Sequence, residues 1–583
     1  MTWEIRRLHE EILSREVGAV RKDWGGRLRI ALVYPNRYEA AMSNLGFLTI
    51  YARVNARADA VCERAFLPGE AGGGVLRRGG RRRMPRGEPA GRGLPLITLE
   101  SSRPLSEFDF VAFSLSYEND LLNLPALLAA GGVSPFRADR ASRGGGLRSL
   151  RGERPLVLAG GFAASLSPEP AGVLADAVVV GDGERAVGAI LDLGPPRPSD
   201  EGYLKELATI PGLFVPAGYL PEYDPREGKG LSPPGRFAGL APRPGFPARV
   251  VRETVSLGEF PPVLPVLSED AELGRMALVE TSRGCPKQCG FCAAAHACPD
   301  FREVPLAKVK ATVDALWPHR TTVGLVGAAV LDWKHFRDFS REILSRGGAI
   351  SPASVRADLV DEEIAGILSE SGHRTVALAP ETGSEDLRAR IGKRVADGVF
   401  FSAGRTLARA GIVSFKLYFL CGLPGTGVEE EVQGAVAFLA AFRREVLHEA
   451  KSVGRMGTIT AVTSAFVPKP FTPLQWAPMA REEDLRRRQG GVSAGVRSLP
   501  NVRVRSDSPR SSLFQGYVGL SDRRVEGVLR QAETGRARLP RGEALSEVLF
   551  REKGADEGFP WEVVAGGLPR RVLRARYESI TRR

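Results

Sequence analysis

Short apolar runs, each cut off by Gly, Ser, Pro or Asn and each followed by a helix-length segment, recur in two series along the chain. That punctuation narrows the fold more than any other feature. The first series comprises residues 28–36 (Leu-Arg-Ile-Ala-Leu-Val-Tyr-Pro-Asn), 110–116, 155–161 and 177–184. Continuous apolar strands that alternate with helices belong to parallel sheets covered on both faces, so this series predicts a doubly wound α/β domain. The second series runs through 276–280, 323–330, 349–356, 375–380, 414–420 and 458–467. Six such strands predict a partial (β/α)6 barrel, which places its site at the carboxyl ends of the strands. The stretch between the series, rich in Pro and Gly, predicts a layer of short connections. The expected division is a helix over 1–26, the doubly wound domain over 27–194, a linker layer over 195–272, the barrel core over 273–490 and a small α+β capping tail over 491–583.

Composition sets the outer limits. At 583 residues, with 43% hydrophobic and 26% charged side chains, the chain has material for several ordinary globular cores. No stretch reaches the roughly 18 uncharged apolar residues of a membrane span, and the first residues interleave Leu and Ile with charges, unlike a signal peptide. Cytoplasm is the expected location, and six cysteines suit a reducing compartment. The net charge of +13 raises the question of nucleic acid. Much of the excess lies in two Gly-rich, Arg-rich loops, 77–92 and 137–154, which lack the aromatics that stack single-stranded bases. They are expected to be solvated insertions, with contact to RNA or anionic lipid left open.

Three cysteines fall within the run Thr-Ser-Arg-Gly-Cys-Pro-Lys-Gln-Cys-Gly-Phe-Cys at 281–292: Cys285, Cys289 and Cys292. Thiolates ligate iron–sulfur clusters, and a four-iron cluster held by only three keeps one iron open for a small molecule. A zinc knuckle is the alternative, with His296 or Cys298 as its fourth ligand. Disulfides are disfavoured because nothing marks the chain as secreted.

The C-x3-C-x2-C spacing, with Phe291 before the last cysteine, resembles the radical S-adenosylmethionine (SAM) enzymes. That resemblance implies a 4Fe-4S cluster on Cys285, Cys289 and Cys292 whose open iron is chelated by the amino and carboxylate groups of SAM. It implies further contacts in order along the barrel. Gly327 stands where the family has a Gly-Gly-Glu strand, without the acidic residue; Ser354 and Arg356 end the third strand; Glu381, Gly383 and Ser384 end the fourth. These correspond to ribose- and carboxylate-binding positions, with Glu381 the foremost polar contact. Lys416, Gly422 and Pro424 correspond to the adenine side. Each alone also fits a cap or a turn. The Pro-Lys-Pro-Phe-Thr-Pro-Leu-Gln-Trp stretch at 468–476 is similar to the end of the core in methylthiotransferase- and Elongator-type members.

Upstream, Asn-Leu-Gly-Phe at 44–47, Gly160-Gly161 with Pro168-Glu169, and the Val-Val-Gly-Asp-Gly-Glu ending resemble the Rossmann-like cobalamin-binding domain that precedes many radical SAM cores. The resemblance implies cobalamin near Tyr34, Asn44, Gly46, Ser114, Ser116, Tyr117, Gly160, Gly161, Gly181, Gly183 and Glu184. The Asp-x-His-x-x-Gly loop of some cobalamin proteins is absent, and His9 is the only histidine before the cysteines, so the cobalt's lower face would be free of histidine, tuned by side chains such as Tyr117 or Asn119. The implied activity is reductive cleavage of SAM to a deoxyadenosyl radical, coupled through cobalamin to methylation or rearrangement of an unknown substrate, with flavodoxin or ferredoxin as electron donor. Two alternatives are kept. A tRNA-modifying methylthiotransferase-like enzyme needs three N-terminal cysteines, where this chain has only Cys62. A non-catalytic cobalamin or iron–sulfur sensor has no need of the SAM-contact positions.

Overall fold

The computed structural model describes residues 2–67, 95–142, 154–226, 234–298 and 300–582. The chain forms two compact units. The first takes in residues 1–275, 517–548 and 556–566; the second takes in 276–516, 549–555 and 567–583.

In the first unit a six-stranded sheet is built from β1 (Leu28–Tyr34), β2 (Ala60–Phe66), β3 (Phe110–Ser114), β4 (Leu156–Gly160), β5 (Ala177–Val179) and β6 (Leu213–Phe214), in the order β2-β1-β3-β4-β5-β6. The first five are parallel and β6 closes the edge antiparallel to β5. Every residue of β1 is buried, as a strand covered on both faces requires, and its one charge, Arg29, is paired with Asp109 at 2.6 Å. Because the chain leaves β1 for the edge and returns to β3 on its other side, a crevice opens at the carboxyl ends of β1 and β3. β2 carries Glu63 and Arg64 in its middle, which hid it from the sequence reading. Both are buried, and Arg64 is held by Glu16 at 2.6 Å and Glu100 at 2.7 Å. Two charges in a buried strand are tolerable only with such partners.

The Arg-rich loop 77–92 lies outside the described residues. Where the loop 137–154 is described, it departs from the expected solvated insertion. Arg140 is buried beside Asp176, Arg154 pairs with Asp176 at 2.8 Å, and Arg137 donates to the Gly172 carbonyl. The charges at both ends of that loop belong to the domain's interior. The linker layer also has a defined place: Glu253 forms a parallel bridge with Gly181 at the end of β5.

In the second unit seven parallel strands form two ladders. β7 (Met276–Glu280), β8 (Thr322–Val326) and β9 (Ala349–Pro352) make one; β10 (Thr375–Glu381), β11 (Ser414–Cys421), β12 (Ile459–Ala465) and β13 (Val502–Ser506) make the other. The first six are the barrel strands expected. β13, expected in a separate tail, instead extends the second ladder. Three helices cover this ladder's outer face: α1 (Asp397–Arg409), α2 (Val428–Ser452) and α3 (Glu482–Gly495). Phe415 and Phe419 of β11 meet Phe442 and Phe438 of α2 edge-on, at 5.1 and 5.9 Å between ring centroids. Stacks of this kind fix which face of the strand is core. No helix among the described residues is long and apolar enough to cross a membrane.

Candidate functional site

The cysteine loop follows β7 and is sewn down from several sides. Gly290 donates its N–H to the Ile391 carbonyl at 2.7 Å and accepts from Leu474 at 3.1 Å. A Cβ at Gly392 would strike the Gln288 carbonyl, so backbone packs against backbone there, while one at Gly290 would meet the Ile580 side chain. Gly284 takes a left-handed φ of 80° under the carbonyls of Cys298 and Asp300, a position that excludes a Cβ.

The three thiols gather at this loop. Burial, against the lowering effect of Lys393 and with the charges of Cys292, Glu381 and Cys285, brings Cys289 up to about 12; Cys292 is raised by burial and by Cys285 and Glu381, against backbone N–H groups that lower it. The thiols are therefore within electrostatic range of one another. Yet among the described residues no three of His, Cys, Asp and Glu converge closely enough to ligate a single metal ion. Zinc–sulfur bonds of about 2.3 Å would demand such convergence. A four-iron cluster, itself several ångströms across, takes its thiolates farther apart. Three thiolates are the donor set of a four-iron cluster that keeps one iron open.

The two competing fourth ligands, His296 and Cys298, stand just after the loop. His296 uses Nε2 to donate to the Cys289 carbonyl at 3.1 Å, the same oxygen that accepts from the Cys292 N–H. A carbonyl only accepts, so Nε2 carries the proton, and Nδ1 is left buried without a partner. Burial lowers this ring's pKa and keeps it neutral. His296 shapes the loop. Cys298 contributes its carbonyl to the cradle over Gly284.

Glu381, at the end of β10, acts electrostatically on Cys289 and Cys292. Its φ is 64°, unusual for a residue with a Cβ and a mark of local strain. Lys393 donates to its carboxylate at 2.7 Å, and both charges act on Cys289. Lys393 escaped sequence reading because nothing in the run Gly-Lys-Arg marks which Lys returns to a strand end. Ser282 was also missed: its hydroxyl is buried without a partner, 3.0 Å from where a Cβ on Gly327 would sit.

The remaining barrel positions divide. Phe291 is half-buried within the loop. Ser354 lies in the loop after β9, bonded to the Ala328 carbonyl at 3.4 Å. Arg356 is paired with Asp332 and Asp358. Gly383 is a glycine because α2 leaves no room, a Cβ there falling 2.1 Å from the Gly434 carbonyl carbon. Ser384 caps the short helix Glu385–Arg390, accepting from the Leu387 N–H at 3.2 Å. Gly422, with φ 82°, donates to Glu431 at 2.9 Å; Glu431 is buried against Arg488. That pair fixes the turn containing Pro424. Lys416 is exposed at the third position of β11, about 16 Å of strand short of that turn.

In the first unit the crevice beyond β1 and β3 is polar. Asn44 donates to Ser116 at 3.0 Å while its oxygen caps the helix Leu45–Ala56, and Tyr34 donates to Ser116 at 3.4 Å. Ser114 and Gly160 are paired across β3 and β4. Tyr117 is 41% exposed. Asp120, missed in the sequence, is buried beside Asn36 at 3.3 Å, and burial raises its carboxyl to about 6. Gly161 approaches the Leu115 carbonyl, and Gly46 sits in the first turn of the helix Asn44 caps. Farther along the sheet, Gly181 is closed off by the Glu253 backbone, a Cβ falling 2.1 Å from its carbonyl oxygen, and Gly183 packs on Ile50. Chain packing, then, accounts for those two glycines. Glu184 is buried in the first turn of the following helix.

Comparison with known proteins places models on both units. Residues 46–216 match the N-terminal region of radical SAM proteins, and residues 279–438 match the radical SAM superfamily. An uncharacterised protein of Methanocaldococcus jannaschii is 28% identical over 229 residues, 39% of this chain and 48% of that protein. Among solved structures, TsrM of Kitasatospora setae, a radical SAM methyltransferase with cobalamin and a [4Fe-4S] cluster bound, covers 87% of this chain and 99% of its own, at 15% identity and a TM-score of 0.48. The cobalamin-dependent SAM radical enzyme OxsB, with aqua-cobalamin bound, covers 71% of this chain and 52% of its own, at 15% identity and a TM-score of 0.43. The chain thus spans about half the length of the Methanocaldococcus protein and of OxsB.

Proposed function

The chain is a radical SAM protein, matched over 46–216 and 279–438 by models of that group, and from that premise we propose that it is a cobalamin-dependent enzyme that methylates or rearranges a substrate carbon. Radical SAM proteins bind a 4Fe-4S cluster and SAM. When bound, these supply one-electron cleavage of the SAM sulfonium to methionine and a deoxyadenosyl radical, which abstracts hydrogen from the substrate.

The observation that carries the reading is the loop of Cys285, Cys289 and Cys292, whose three thiols lie within electrostatic range of one another just after β7. The chain's own residues then have definite tasks. Gly284 and Gly392 let backbone close over the loop. Lys393 neutralises Glu381 beside the thiols, leaving the carboxylate oriented for the polar end of SAM. The Glu431–Arg488 pair holds the Gly422 turn for the adenine.

The cobalamin part rests on the first unit. Its crevice lies at the point where strand order reverses, the usual ligand position of such sheets, and is lined by Tyr34, Asn44, Ser116 and Asp120 without a histidine. Cys62, the lone cysteine available for a second N-terminal cluster, is buried in β2, so the methylthiotransferase alternative gains nothing. The test is anaerobic loading with iron, sulfide and hydroxocobalamin. Cobalamin bound near one per chain, with no shift in its spectrum on mutating His9, supports the reading; no retention of cobalamin overturns that part.

A further inference from the structure

The outer face of the ladder β10–β13 is covered by helices, and its opposite face carries cations with no counter-charge among the described residues. On β11, Phe415, Leu417 and Phe419 are buried toward α2, so Lys416 and Tyr418 point the other way, and both are exposed. Registers extend that face: Lys416 is aligned with Thr460 and then Arg503, and Tyr418 with Val462 and then Arg505. Paired residues of parallel strands share a face. Arg503 and Arg505 are exposed. Among the described residues no carboxylate pairs with Lys416, Arg503 or Arg505; the nearby Asp507 is taken by the Ser464 hydroxyl at 2.6 Å.

Arginines on an edge strand such as β13 also discourage edge-to-edge pairing. That explanation does not reach Lys416, which lies on an interior strand. Lys416 and Arg503 are two strand spacings apart, about 10 Å, within the joint reach of a Lys and an Arg side chain. Ala377 and Thr460 beside them are small and leave room.

We propose that this face binds the anionic group, phosphate or carboxylate, of an extended small-molecule substrate. The proposal rests on the enzyme reading and names the substrate class for the same barrel. Arg503 and Arg505 present planar forks suited to a phosphate or carboxylate, Lys416 adds a point charge, and Tyr418 offers a phenol. Tyr418 lies about 10 Å of strand below the carboxyl end of β11, so the anion is gripped at a distance from the reacting carbon. Binding energy spent there positions the carbon without touching it.

The test uses the full, cluster-loaded chain titrated calorimetrically with inorganic phosphate, pyrophosphate and succinate, and the same with Arg503→Gln/Arg505→Gln, whose exposed side chains leave the core intact. The expected result is binding of at least one probe, weakened tenfold or more in the double variant, with iron content and circular dichroism unchanged. Binding of the phosphates alone identifies a phosphate-bearing substrate, and binding of succinate alone a carboxylate. No binding to the unaltered chain, equal binding to both proteins, or loss of SAM binding in place of probe binding overturns the proposal. Formation of deoxyadenosine by the unaltered protein reads the enzyme assignment independently: its absence with probe binding intact would sink that assignment and leave the anion site.

Discussion

Lys393 and Glu381 show how one ion pair can matter beyond its own energy. Lys393 lowers the pKa of Cys289, and Glu381 is buried in a strained backbone position. Lys393→Met leaves that carboxylate without its partner, and the expected cost is roughly 1–3 kcal/mol. Thermal unfolding should show the loss, and SAM affinity should fall because Glu381 is no longer held; an unchanged melting temperature would mean that the pair contributes nothing. In the other unit, Asp120 gives a pH signature. Its carboxyl keeps a proton up to about 6 in the folded chain, against an ordinary value near 4 when unfolded. Folding takes up a proton between those values, so this contribution to stability is full below the lower value and is lost as pH rises through 6. Asp120→Asn removes the ionisable group and keeps an acceptor for Asn36. Its melting temperature should exceed that of the parent above pH 7, by the equivalent of up to about 3 kcal/mol, and converge with it near pH 4. Parallel melting curves across that range would contradict the assignment.

At the scale of elements, glycines separate ligand sites from packing. Gly383 was expected among SAM contacts, yet the backbone of α2 at Gly434 already fills the place of its side chain. Gly383→Ala should therefore cost about 1–3 kcal/mol with the cluster absent, by overpacking. Gly398→Ala, in α1 with open space around it, should be neutral or stabilising by up to about 1 kcal/mol. Melting of both apo variants decides it, and equal effects would contradict the packing account. The same contrast explains what sequence could reveal. Strands such as β1 and β11 announce themselves by apolar runs, and the cysteine spacing survives any tertiary context. β2 did not, because its buried Arg64 is solvated by Glu16 and Glu100, residues 48 and 36 positions away along the chain. For Ser384 and Arg356 the sequence order could not reveal their internal partners, a helix end and two aspartates.

At the scale of the molecule, each family match falls within one unit, 46–216 in the first and 279–438 in the second. The C-terminal stretch does not respect that division. Residues 517–548 and 556–566 complete the first unit, and 549–555 and 567–583 the second, among them Ile580 against the cysteine loop. Local pattern carries no trace of such long-range sharing, which is why 491–583 read as one cap. Two cores predict two unfolding transitions in calorimetry, and each ligand should raise the one belonging to its unit: cobalamin the first unit's, SAM with the cluster the second's. A single transition raised equally by both would contradict that assignment. The central claim is narrower and is tested most directly by deoxyadenosine itself. The chain, reconstituted anaerobically and given SAM and dithionite, should hold about four irons and release 5′-deoxyadenosine and methionine, and Cys285→Ser, Cys289→Ser and Cys292→Ser should each abolish both. Zinc at one per chain, with no deoxyadenosine formed, would contradict it.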